Sequence, residues 1–124
     1  RKMNETRNKV ANLIAKVEFV DAYGAARSGP TLAIQYGFDK KIRQIYDDHP
    51  SKVSKYSPFL RSLVKPTSHL NAKESPICLI LAYIHAKNIV KQNIAYLQEG
   101  GTLISVWPEY VEITSENLEY YLNS

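Results

Sequence analysis

The sequence predicts a mainly α domain: a compact bundle of four or five helices around a long central helix over about 75–99, closed by a small C-terminal β-hairpin over about 102–114. Three observations predict it. Apolar residues near the start recur at intervals of three and four, as on the inward stripe of an amphipathic helix. The run Ile77 to Ile84 is apolar on every side, as in a helix enclosed by others. After Gly100 and Gly101 the period shortens to two, which is a strand pattern.

Taken in order, the first helix runs from about Asn4 to Ala22 and turns Val10, Leu13, Ile14, Val17 and Val20 inward. Gly24, Ser28 and Gly29 punctuate the chain, and Pro30 suits the first turn of a second helix, where its missing N–H costs nothing. That helix extends to about Asp48 with Ile34, Phe38, Ile42, Ile45 and Tyr46 inward, and His49-Pro50 stops it. Ser57-Pro58 opens one or two amphipathic turns carrying Phe59, Leu60, Leu63 and Val64, which Lys65-Pro66 ends. The polar stretch Thr67 to Glu74 is a loop. Ser75-Pro76 repeats the cap-and-proline signature and starts the central helix, whose second half faces Ala86, Val90, Ile94 and Leu97 inward. Thr102 to Trp107 and Tyr110 to Thr114 form the hairpin strands, and a last short helix carries Leu118, Tyr121 and Leu122.

With 124 residues, 44% of them hydrophobic and 23% charged, one globular domain is expected. The chain opens at Arg1 with Met3 behind it, which leaves a longer parent protein open. The longest apolar stretch falls well short of the roughly 20 residues of a membrane span, so no membrane partner is expected. A single cysteine, Cys78, points to a reducing, intracellular setting, cytoplasmic or nuclear.

Chemistry-bearing patterns are sparse. His49, His69 and His85 lack metal-site spacing, and no metal or other cofactor is expected. Cys78 and His85 share a helix face at seven-residue separation, but a cysteine inside an apolar run reads as a packing group. Asp47, Asp48 and His49 read as turn formers at a helix end. The glycine-bearing segment Gly24 to Pro30 follows an expected helix rather than a strand and lacks the lysine of a phosphate loop, which argues against a nucleotide site. The residues therefore predict a non-enzymatic protein with no small-molecule substrate.

Charge is the stronger functional hint. Residues 1–38 carry 6 bases and 3 acids, residues 39–91 carry 10 and 4, and residues 92–124 carry 5 acids and no base. A DNA- or RNA-binding accessory or regulatory domain would use the basic middle through Lys40, Lys41, Arg43, Lys52, Lys55, Arg61, Lys65, Lys87 and Lys91, which neutralise phosphates. The alternative is a protein interaction subunit or adaptor, which would bind a partner or a second copy through Trp107, Tyr110, Tyr120 and Tyr121 in the acidic, aromatic C-terminus. The C-terminal third, with a helix, a glycine stop, two strands and a closing helix, resembles the winged-helix layout. Acids around the expected wing turn that layout toward protein contacts rather than phosphate.

Overall fold

The architecture comes from a computed structural model of the chain, which describes residues 2–24, 41–47, 56–57, 62–106 and 109–124. It corrects the expected helical bundle: the domain is a mixed α/β fold built on a seven-stranded sheet of order β3-β4-β2-β1-β5-β6-β7. The strands are β1 (Val20–Tyr23), β2 (Ile42–Tyr46), β3 (Tyr56–Ser57), β4 (Ser62–Lys65), β5 (Ile77–Ile80), β6 (Thr102–Ser105) and β7 (Val111–Ile113). Among the described residues four α-helices accompany them: α1 (Lys2–Lys16), α2 (Ala86–Gln92), α3 (Ile94–Gln98) and α4 (Leu118–Leu122).

Five strands form a parallel core, β4-β2-β1-β5-β6, with β3 and β7 added antiparallel at the two edges. Chain order runs outward from β1 through β2 to β4, then returns across β1 to β5 and on to β6. Connectivity therefore reverses direction between β1 and β5, which is the layout of a doubly wound sheet.

Two apolar layers hold the sheet. On one face Val10 and Leu13 of α1 pack over Val20, Ala22, Ile45, Leu79 and Ile104. On the other, Ile89, Val90 and Leu97 of α2 and α3 cover Tyr23, Cys78, Ile80 and Leu103. This two-sided cover explains the main correction. A parallel strand buried on both faces is a continuous apolar run, and Ile77 to Leu81 carries no alternation to distinguish it from a buried helix. The helix expected over 75–99 is thus strand β5, a short 3₁₀ turn over Tyr83–His85, and two short helices that break at Asn93.

Other boundaries shift for similar reasons. The first helix stops at Lys16, and Val20, counted on its inward stripe, begins β1. Of the expected second helix, residues 30–40 and 48 lie outside the described residues, while Ile42, Ile45 and Tyr46 sit in β2. Leu63 and Val64 lie in β4 rather than in helical turns. The hairpin is present: β6 and β7 pair antiparallel with Leu103 opposite Ile113. The winged-helix layout is not, because β6 also pairs in parallel with β5 and so belongs to the central sheet. The closing helix α4 carries Leu118, Tyr121 and Leu122 as expected.

Candidate functional site

All five parallel strands end on one edge of the sheet, and there the chain leaves β1 and β5 in opposite directions. Gly24 follows β1 with φ of +89°, a conformation that favours glycine, and its N–H donates to the Tyr46 carbonyl at 2.7 Å. Beyond β5, the Leu81 N–H donates to the Tyr23 carbonyl at 2.9 Å, which draws the two exits together. The approach is close. A Cβ placed on Gly24 would lie 2.6 Å from the Ala82 Cβ, so glycine is required here for contact as well as for conformation. Asp47 stands at the end of β2 on the same edge, half-buried, its N–H bonded to the Lys65 carbonyl at 2.9 Å.

In open parallel sheets, ligands bind outside the carboxyl ends of the strands, where connectivity reverses. A glycine after the first strand and an acid about 20 residues on, at the end of the second, belong to that pattern. Gly24 and Asp47 occupy those places. The sequence reading missed them because it took the residues before Gly24 to be a helix. The preceding segment is strand β1, so that argument against a nucleotide site falls. A spacing of 23 residues from Gly24 to Asp47 was the visible signal. Residues 25–30 lie outside the described residues.

Toward the amino end of β5, away from the exits, a polar network ties β1, β2 and β5 together. Asp21 is fully buried, and Arg43 grips it through Nε at 3.2 Å and Nη2 at 2.9 Å. The same Nη2 donates to the Glu74 carbonyl at 2.8 Å, and the guanidinium lies 3.8 Å from the Phe19 ring centre. Tyr46 Oη and Ser75 Oγ share a hydrogen bond at 2.9 Å, and Tyr96 Oη donates to the Ser75 carbonyl at 2.6 Å. Burial pushes both phenols up from their ordinary value.

The expected basic face is divided by this arrangement. Arg43 is committed to Asp21, and the half-buried Lys41 donates to the Val17 carbonyl at 3.2 Å. Arg43 and Lys65 do border one hollow, with Lys73, Phe19 and Tyr46. Lys87 and Lys91 stand exposed on α2, and Lys87 donates to the Ser124 carbonyl in a separate groove. Lys40, Lys52, Lys55 and Arg61 lie outside the described residues, as does Trp107. Of the aromatic residues singled out at the C-terminus, Tyr110 donates to Glu112 at 2.6 Å, two residues on at the start of β7, Tyr121 is half-buried, and Tyr120 is 82% exposed. Cys78 is buried in β5 while His85 is exposed beyond it, so the strand separates the pair that a helix would have aligned. Burial raises the Cys78 thiol well above its ordinary value, as expected of an unreactive packing group. Among the described residues no helix is long and apolar enough to cross a membrane.

Fold and edge together define a doubly wound α/β domain, with Gly24 and Asp47 at the carboxyl edge where its connectivity reverses. The sequence matches the family described as C-methyltransferase C-terminal domain over residues 1–108, and the chain belongs to that family. No curated protein matches it significantly. Membership overturns the non-enzymatic reading: it points to a domain of a methyltransferase enzyme family in place of a nucleic-acid-binding regulator or an adaptor.

Proposed function

We propose that this chain serves a C-methyltransferase as the domain that holds a nucleotide-bearing ligand across the carboxyl ends of β1 and β5. The observation that carries the reading is the reversal of connectivity between those strands, with Gly24 at the reversal. Moving a methyl group onto carbon requires a donor and an acceptor held in register, and either can carry a nucleoside as its handle. Asp47 fits the ribose end of such a handle, because a carboxylate accepts from the sugar hydroxyls at the end of the second strand. Gly24 fits the phosphate end, since its positive φ turns the chain tightly at the carboxyl end of β1 and its lack of a side chain lets the segment after β5 close against it.

The test is a calorimetric titration of the chain with a ribonucleoside 5′-diphosphate. Saturable binding is expected, and Asp47→Ala weakens it at least tenfold, as loss of a charge-assisted hydrogen bond does, while the circular dichroism spectrum stays unchanged. Binding that Asp47→Ala leaves intact, or no binding to the folded chain, refutes the reading.

A further inference from the structure

Strand β7 forms one edge of the sheet among the described residues, and its inner side pairs with β6. The outer side of an edge strand presents backbone N–H and C=O groups with which a further strand can pair. In an antiparallel ladder, alternate residues turn both groups to the partner, and the residues between them turn both away. The Glu112 carbonyl accepts from Asn117 Nδ2 at 2.7 Å, so Glu112 is an outward residue, and Thr114, two positions on, is the next. The Thr114 N–H donates to Asn117 Oδ1 at 2.8 Å. One carboxamide therefore takes two successive outward groups of the edge. A residue of an added parallel strand, set opposite Ile113, would take the same two with its own N–H and C=O, and an added antiparallel strand needs both as well.

The side chain serves the strand in place of the helix that follows it. Asparagine ahead of a helix ordinarily accepts from an N–H of the first turn. Asn117 stands directly ahead of α4 and makes no such bond. Helix α4 is itself pinned, because Leu118, Tyr121 and Leu122 pack against the apolar layer that contains Ile113. That packing holds Asn117 over the edge.

We propose that Asn117 locks this edge: its carboxamide fills the hydrogen-bonding positions of an added strand and so keeps β7 from pairing with the β7 of a second copy. A second copy is the strand donor excluded, because the same edge presented twice is self-complementary about a two-fold axis and needs no other partner. Residues 111–122, which build the lock, lie past residues 1–108 over which the chain matches its family, so the inference is independent of the methyltransferase reading.

The experiment compares the 124-residue chain with Asn117→Ala by sedimentation velocity from dilute to concentrated solution and by residue-resolved amide hydrogen exchange. The unmodified chain sediments as a monomer with its Thr114 N–H protected. Asn117→Ala dimerises as concentration rises. In its dilute monomer the Thr114 N–H exchanges about tenfold faster or more, and it slows again as the dimer forms. If alanine loosens α4 too far for the variant to fold, Asn117→Ser takes its place: serine suits the start of a helix, and its hydroxyl is too short to span both backbone groups. A variant that stays monomeric at every concentration overturns the proposal, as does a dimer whose Thr114 N–H stays unprotected, since such a dimer pairs elsewhere. A dimer of the unmodified chain overturns it too, and so does a Thr114 N–H that exchanges as freely in the unmodified chain as in the dilute variant.

Discussion

Truncating Arg43 strands a carboxylate that has no access to water. Asp21 is fully buried, whereas the Arg43 side chain is 45% exposed, so the pair is solvated from one end only. Breaking a buried pair by removing one partner costs about 3–5 kcal/mol, and half-exposure of the guanidinium brings the expected loss for Arg43→Ala to about 2–3 kcal/mol. Urea unfolding measures it. Arg43→Lys retains the charge but loses the two-pronged grip and the stacking on Phe19, so it falls between wild type and alanine. The double variant Asp21→Asn, Arg43→Met removes both charges and is less destabilised than Arg43→Ala. A surface cation would give a loss near zero in the alanine variant, and that result would remove the structural role assigned here. Sequence reasoning placed Arg43 on a phosphate-binding face because its neighbours Lys40 and Lys41 are basic. Nothing in the local pattern discloses that the residue opposite, 22 positions earlier, is a buried acid. Such pairing is a property of strand register, and register was not visible once β1 and β2 had been read as helices.

Between elements, the joint between α3 and β6 depends on one small residue. The Tyr96 ring lies over Gly101 so closely that an added Cβ would sit 2.4 Å from its Cζ. That ring cannot easily retreat, because its hydroxyl donates to the Ser75 carbonyl just ahead of β5 and its body is 4% exposed in the core. Gly101→Ala therefore forces Tyr96 out of place, and overpacking of this kind costs about 1–3 kcal/mol. Tyr96→Phe keeps the ring and removes only the hydroxyl, for an expected loss of about 1 kcal/mol. Combining Gly101→Ala with Tyr96→Ala should cost less than the sum of the two single changes, because the clash disappears with the ring. Thermal denaturation of the four proteins gives the answer, and strict additivity would count against the contact. The sequence made Gly100 and Gly101 a helix stop, which holds for Gly100 at φ of +101° after α3. The tertiary duty of Gly101 was hidden, since it concerns a ring five residues back whose position is set by β5. The amphipathic spacing of Val10 and Leu13 and the period-two run into the hairpin were legible, because each reports a one-sided element. Strand β5 was not, since burial on both faces erases the period that tells strand from helix.

At the scale of the whole molecule, the two apolar layers and the polar network between them make folding and tyrosine ionisation one event. Burial pushes the phenols of Tyr46, Tyr96, Tyr110 and Tyr121 up, for Tyr110 with further help from the hydrogen-bonded Glu112 carboxylate. In the unfolded chain a tyrosine releases its proton near pH 10. Above that pH the unfolded state holds fewer protons than the folded state, so stability falls as pH rises. The contribution of these groups is fully present below about pH 10 and is lost progressively as pH climbs toward the raised folded values. Absorbance at the phenolate band should then show the tyrosines raised by burial, Tyr46 and Tyr96 among them, ionising only in step with loss of secondary structure. Tyr96→Phe should remove one late-titrating group and flatten the fall in stability above pH 10. If all tyrosines ionise near pH 10 while circular dichroism still reports the folded sheet, Tyr46 and Tyr96 are not buried as the fold requires. The doubly wound arrangement around β1 and β5 would then need revision, along with the ligand edge it creates.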